Sequence, residues 1–192
     1  MKGGTPPGKI RIVAGTCRGR RLKVPRRGEV RPTSERVREA VFDVLGPIGG
    51  LRVLDLFAGS GALGLEALSR GAAGCTFVER DRDVARILRE NVVLLGFLRE
   101  SEVLVMPFRR AVERLQLRGQ AFDLLFVDPP YTMLGEVEPA LRPAVPALLA
   151  PGGVVVIEGP PTLEIDMGLE VVFRRRYGNT VVTMVKEGTG RR

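Results

Sequence analysis

The stretch Val53 to Gly71, VLDLFAGSGALGLEALSRG, constrains this chain more than any other. An apolar run, Val53, Leu54, Leu56 and Phe57, is interrupted only by Asp55. Gly59, Gly61 and Gly64 follow in a G-x-G-x-x-G spacing, and an alanine- and leucine-rich segment continues to about Arg70. The order reads as strand, tight turn and helix, the opening unit of a parallel α/β sheet with a ligand at the turn. Glycine tolerates positive φ and lets a bound molecule approach the backbone. The first amides of the helix point at that molecule.

Dinucleotide-binding folds share the glycine spacing, so Asp55 has to separate the readings. A carboxylate inside an apolar strand is costly unless something pairs with it. A pyrophosphate would repel it. S-adenosylmethionine, which carries an ammonium and a sulfonium, suits it. A plainer reading stays open, in which Asp55 only accepts backbone N–H bonds within the turn.

The chain then alternates strands and helices. Cys75 to Val78 reads as a second strand ending at Glu79, an acid placed to accept both ribose hydroxyls of an adenosine ligand. Glu79, Asp81 and Asp83 also fit the cap region of the next helix, about Asp83 to Leu95, with Gly96 as its stop. Glu102 to Met106 and Asp123 to Val127 read as strands three and four, with a loop or helix from Phe108 between them. A helix is expected over about Glu136 to Leu149, shortened or bent by Pro143 and Pro146. Val154 to Glu158 is strand five. Leu169 to Phe173 and Thr180 to Val185 are expected to close the sheet as an antiparallel pair.

Composition bounds the rest. A chain of 192 residues, 44% hydrophobic, holds one α/β domain plus a small addition. We divide it into a basic N-terminal hairpin and helix extension, residues 1–46, and a catalytic domain, residues 47–192. No apolar run is long enough for a membrane span, and MKGGTPPGKI lacks a signal core. Cys17 and Cys75 are not spaced as metal ligands, so reduced thiols in a cytoplasmic protein are expected, with no metal. Histidine is absent, which removes His-based triads and the commonest general base.

The net charge of +8 is local. Residues 1–38 hold twelve Lys and Arg against Glu29 and Glu35, a net of +10, and the remainder is −2. That is the footprint of an arm that meets phosphates, although a solvated charged terminus has the same composition. Arg11-Ile12-Val13-Ala14 and Arg20-Arg21-Leu22-Lys23-Val24 alternate around Gly15 and Gly19, which predicts a short hairpin with arginines on one side. A helix should follow, with Thr33 as N-cap after Pro32 and Glu35 in the first turn. Val37, Ala40, Val41, Val44 and Leu45 would form its apolar stripe, leaving Arg36 and Arg38 off it.

Asp128-Pro129-Pro130-Tyr131 carries the chemistry. Two consecutive prolines cannot continue a central strand. They hold a rigid turn at the end of strand four, leaving Asp128 and the Pro129 carbonyl to accept both hydrogens of one planar amino group. Tyr131 offers a flat face to a base. Such bonding raises electron density on an otherwise delocalised exocyclic nitrogen and aims it at a methyl donor. No histidine is needed, because the cationic product nitrogen is strongly acidic. A plain strand-ending turn with a surface tyrosine is the alternative.

Taken with Asp55 and Glu79, these motifs resemble the class I S-adenosylmethionine-dependent methyltransferases with a D-P-P-Y amino-methylating motif. The chain most resembles the 16S ribosomal RNA guanine-N2 methyltransferase family of RsmD type. The match includes Arg11-Ile12-Val13-Ala14-Gly15, Arg18-Gly19-Arg20, Arg31-Pro32-Thr33, Arg36-Val37-Arg38-Glu39 and Phe57 to Ala67. The resemblance implies a Rossmann-like seven-stranded sheet of order 3-2-1-4-5-7-6, the last strand antiparallel. It implies cofactor contacts from Asp55, Phe57, Ala58, Gly59, Ser60, Gly61, Glu79, Arg80 and Phe108, and catalysis at Asp128, Pro129, Pro130 and Tyr131. RNA contacts are expected from Arg11, Arg18, Arg20, Arg21, Arg31, Arg36 and Arg38. The expected substrate is one guanosine of small-subunit ribosomal RNA in an assembled or partly assembled ribosomal particle, met by a monomer. One departure is Pro107-Phe108-Arg109-Arg110, where relatives often place a side chain that accepts from the adenine amine; arginine cannot accept. Adenine-N6 methylation of DNA or RNA, an NAD-type dehydrogenase and an inactive nucleic-acid-binding module are the competing readings.

Overall fold

The computed structural model describes residues 10–25, 35–164 and 166–188. Seven strands form one sheet: β1 (Arg52–Asp55), β2 (Gly74–Glu79), β3 (Ser101–Val105), β4 (Phe122–Val127), β5 (Leu149–Gly159), β6 (Glu170–Tyr177) and β7 (Thr180–Lys186). Their order is β3-β2-β1-β4-β5-β7-β6, as expected. Strands β1 to β5 are parallel, and β7 runs antiparallel between β5 and β6.

The central strands are apolar on both sides because helices cover both faces. One core layer joins Val53, Phe77 and Phe126 to α1 (Glu35–Leu45), α2 (Ala62–Ser69) and α3 (Arg82–Leu95). The other joins Leu54, Leu56 and Leu125 to α4 (Phe108–Leu117), α5 (Leu134–Leu141) and α6 (Val145–Leu148). The helices change face between β1 and β4. That switch point opens a crevice at the carboxyl ends of these two strands.

Most local signals act as expected. Asp81 Oδ1 accepts from Asp83 N at 2.8 Å and Val84 N at 3.0 Å, capping α3. The segment from Phe108 is a helix. The single helix expected over Glu136 to Leu149 is instead two pieces, α5 and α6, with a 3₁₀ turn at Tyr131–Met133 leading into α5. Pro143 falls in the break and Pro146 in the first turn of α6, the places a missing N–H is tolerated.

The arm forms the expected hairpin in its shortest form. Arg11 and Arg21 make one antiparallel bridge. Ile12 N donates to Arg20 O and Leu22 N to Ile10 O, both at 2.9 Å. Ile10, Ile12 and Leu22 turn inward and join the core layer of α1, α2 and α3. Helix α1 is rotated from the expected stripe: Val37, Arg38, Val41 and Phe42 are buried, while Val44 is exposed. Phe42 fits there because it meets Phe126 edge-on, ring centroids 5.8 Å apart, and lies under the Arg70 guanidinium at 4.6 Å. Arg38 corrects the sequence reading. It is 1% exposed and donates through Nη2 to Arg11 O at 2.7 Å, so it fastens the arm rather than facing solvent. Arg31 and the Thr33 cap lie outside the described residues.

Candidate active site

Asp55 ends β1 between Phe77 of β2 and Phe126 of β4. It is 2% exposed. Its Oδ2 accepts from Gly64 N at 3.1 Å, the role the plainer reading gave it. Its Oδ1 has no hydrogen-bond partner among the described residues, although the Phe57 amide is near enough to favour the charge. Burial pushes the Asp55 carboxyl up to about 7. The Gly64 amide opposes that rise, and the charges of Asp128 and Glu79 add to it.

An orphaned buried carboxylate oxygen facing two further acids is a site for a cation. The ammonium of S-adenosylmethionine fits that donor set; a pyrophosphate does not. The turn also fits. Gly59 has φ 53°, and nothing lies within 4 Å of where a Cβ would be, so the backbone is open to a ligand. Gly64, in contrast, serves packing, since a Cβ there would strike the Phe77 ring and Cys75.

Glu79 closes the turn from the next strand. Gly59 N donates to its Oε2 at 3.0 Å and Asp81 N to its Oε1 at 2.8 Å. Each carboxylate oxygen can accept a further hydrogen bond beyond these two, so the turn contacts leave Glu79 with spare acceptor capacity. Ala58 N donates to Val78 O, Gly61 N to Ala58 O, and Ser60 is buried. Phe57 packs on Phe108 with centroids 5.1 Å apart, and Arg109 lies over Phe108 at 5.5 Å. Phe108 is therefore buried behind Phe57. Arg80 is exposed at the rim.

Asp128 follows β4 at the same edge. Leu56 N donates to Phe126 O at 3.1 Å, which ties the two strand ends together. Pro129 is buried, Pro130 is exposed, and Tyr131 is 52% exposed. Met133 N donates to Pro130 O at 2.8 Å and starts the 3₁₀ turn that presents Tyr131. The fold thus brings Asp55, Glu79 and Asp128 to one crevice, with Tyr131 exposed three residues beyond Asp128.

Of the basic residues expected to meet RNA, Arg11, Arg18, Arg20, Arg21 and Arg36 are exposed. Arg11 Nε pairs with Glu35 at 2.9 Å. Arg11, Arg18, Glu35 and Glu39 line a cleft of about 230 Å³ between the arm and α1.

Three residues that the sequence reading passed over dock the arm. Glu66, fully buried on α2, accepts from Val13 N at 2.7 Å, Ala14 N at 2.9 Å and Arg70 Nε at 2.8 Å. Ser69 Oγ accepts from Cys17 N and donates to Ala14 O. Asn91, fully buried on α3, accepts from Lys23 N and donates to Lys23 O and to Ser60 O in the glycine turn. Gly15 completes the docking: φ is 80°, and a Cβ there would stand 1.8 Å from Ser69 O. The signal was a polar residue on an otherwise apolar helix face, at Glu66 and at Asn91 between Leu88 and Leu95.

A family model described as "Conserved hypothetical protein 95" matches residues 10–186. The chain is 47% identical over 125 residues to the ribosomal RNA small subunit methyltransferase D of Escherichia coli K12, covering 65% of this chain and 61% of that protein. It thus spans less than two thirds of that relative's length. It is 34% identical over 191 residues to YlbH of Bacillus subtilis, a protein provisionally named an rRNA methyltransferase, covering 93% of this chain and 99% of that one. A solved structure of a hypothetical protein from Thermus thermophilus superposes with a TM-score of 0.81 at 36% identity, covering 92% and 99% of the two chains.

Proposed function

The chain belongs to the family described as Conserved hypothetical protein 95, the RsmD-type S-adenosylmethionine-dependent methyltransferases, and on that footing we propose that it methylates the exocyclic N2 amine of one guanosine in small-subunit (16S) ribosomal RNA. One observation carries the reading. The buried carboxylate of Asp55, with an oxygen left for a cation, stands beside the Asp128-Pro129-Pro130-Tyr131 turn on the adjoining strand.

Asp55 would hold the ammonium of the cofactor and Glu79 its ribose, with Phe57, Ala58, Gly59, Ser60 and Gly61 around it. Arg80 and Phe108 border the same region. Bound there, S-adenosylmethionine supplies an electrophilic methyl on a cationic sulfur. Asp128 and the Pro129 carbonyl accept the two N–H groups of the guanine amine. The nitrogen lone pair, otherwise delocalised into the ring, is thereby concentrated and aimed. Pro129 and Pro130 keep the two acceptors rigid, so little reorganisation accompanies attack. Tyr131 stacks on the base. The proton leaves an already cationic nitrogen, so a histidine base is not required. Residues 1–46 act as the RNA-binding extension, through Arg11, Arg18, Arg20, Arg21 and Arg36, and the protein works as a monomer on an assembled or partly assembled particle.

The test is to incubate the protein with labelled-methyl cofactor and small-subunit particles lacking their methyl marks, then digest the RNA and analyse nucleosides by mass spectrometry. N2-methylguanosine at one position is expected. Label on adenine N6 would replace the substrate assignment, and no label in RNA would overturn the reading.

A further inference from the structure

Strand β6 places Arg174, Arg175 and Arg176 in succession on the outer edge of the sheet. All three are exposed, and none forms an ion pair with a carboxylate among the described residues. Their position along the sheet follows from the register. Val127 pairs with Ile157, Ile157 with Thr183, and Thr183 with Arg174. Gly159 pairs with Val181, and Val181 with Arg176. Two antiparallel steps return β6 to the direction of β4. Arg174 is therefore level with the residue before Asp128, and Arg175 and Arg176 continue past it toward the crevice end. At a strand spacing of about 4.8 Å, the row stands roughly 14 Å from the catalytic turn.

The side chains are also held in place. Arg175 lies over the Tyr177 ring at 5.5 Å, and Arg176 Nε donates to Gly178 O at 2.7 Å. Arg174 Nη2 donates to Leu163 O at 2.9 Å and so braces the loop after β5. The docked arm lies over α2 and α3, on the β2 side of β1, whereas β6 lies on the opposite side.

We propose that the β6 edge is a second RNA-backbone contact surface, in which Arg175, on the face it shares with Tyr177, and Arg176, on the opposite face, hold phosphates from the two sides of the edge strand, on the far side of the catalytic turn from the arm; this rests on the RNA-methylating reading above. A guanidinium offers a fork that matches a phosphate and remains charged at any working pH. Two anchors on opposite sides of the crevice fix the strand in both directions, so that one base can be presented to Tyr131. An acidic protein surface would also meet arginines. The alignment of the row with the crevice end of β4 favours the strand that carries the target base.

The experiment compares the parent protein with the pair Arg175→Ala, Arg176→Ala and the pair Arg175→Lys, Arg176→Lys. Binding to an unmodified 16S ribosomal RNA transcript is measured over a range of salt, and methyl transfer on small-subunit particles is measured in parallel. The alanine pair should lower the slope of log affinity against log salt by about 1.4 and weaken binding about tenfold near 0.15 M salt, at 0.7 per phosphate contact. KM for particles should rise, kcat at saturation should hold, and cofactor affinity and thermal midpoint should not move. The lysine pair should restore the slope. An unchanged slope for the alanine pair overturns the inference while leaving the RNA-methylating reading intact. Weaker transfer on particles with unchanged transcript binding also overturns it, and assigns the surface to a ribosomal protein. A parent that methylates no RNA removes both together.

Discussion

Asp128 lies across the gap between β4 and β1 from Asp55, and its charge helps hold the buried Asp55 carboxyl above its usual range, at about 7. Binding of a cationic ligand to Asp55 requires the ionised form. Affinity for S-adenosylmethionine should therefore rise with pH through about 7 and be roughly tenfold greater at pH 8 than at pH 6. Calorimetry in buffers of different ionisation enthalpy should register proton release near neutrality. Asp55→Asn should flatten the profile and weaken binding by about 1.5–3 kcal/mol, the value of one charge-assisted contact. Unchanged affinity in the folded variant would remove Asp55 from the site.

The same carboxyl sets a stability profile for the ligand-free protein. Its folded value is raised above 3.8, so its contribution to stability is fully present below that pH and is lost as pH rises through about 7. Asp55→Asn should lessen this loss. Thermal midpoints of parent and variant at pH 5 and pH 8 should diverge at the higher pH, with the variant the more stable relative to its pH 5 value.

Asp128→Ala should separate chemistry from binding. Its two-acceptor arrangement with Pro129 matters most as the amine attacks, so turnover should fall while cofactor affinity holds when both are measured above about pH 7, where Asp55 is ionised with or without the Asp128 charge. Tyr131→Ala should instead weaken RNA engagement by about 1–3 kcal/mol, the range for base stacking on an aromatic side chain. Single-turnover rates beside cofactor titrations check both. Near-parent turnover of Asp128→Ala would refute the acceptor pair.

The arm gives an independent prediction. Arg18→Ala with Arg20→Ala should reduce the salt slope of RNA binding by about 1.4, at 0.7 per contact on a single strand. Both side chains are exposed, so thermal stability and cofactor affinity should not change. A drop in thermal midpoint without a change in slope would mean that the arm only packs.

Glu66→Ala should be severe. It strands the Val13 and Ala14 amides and the Arg70 guanidinium beside a fully buried position, at a cost of roughly 3–5 kcal/mol. Urea unfolding should show the loss. Limited proteolysis should cut near the arm first.

The parallel sheet was legible because each strand is a short apolar run closed by glycine, proline or an acid, and the crevice because Asp55 and Asp128 interrupt such runs. The rotation of α1 was not. Its periodicity alone allows Ala40 and Val44 inward, and only the apposition of Phe42 with Phe126, residues far apart in the chain, selects the observed face. Arg38 was misplaced for the same reason: its guanidinium is buried among the Arg11 carbonyl and the carboxylates of Glu66, Glu35 and Glu158, a setting supplied by tertiary structure. The break between α5 and α6 was half visible, since proline marks where a helix falters but not whether it bends or stops.

The arm packs through Ile10, Ile12, Cys17 and Leu22, and most of its polar bonds to the body run through its own main chain. Val13 N, Ala14 N, Ala14 O, Cys17 N, Lys23 N and Lys23 O meet side chains that belong to the body of the protein. A main chain presents the same groups whatever its side chains, so Arg18, Arg20 and Arg21 can be rewritten without disturbing the joint. On the proposed reading, in which the arm meets RNA, the exposed arginines of this hairpin can be changed while the crevice between β1 and β4 is left alone.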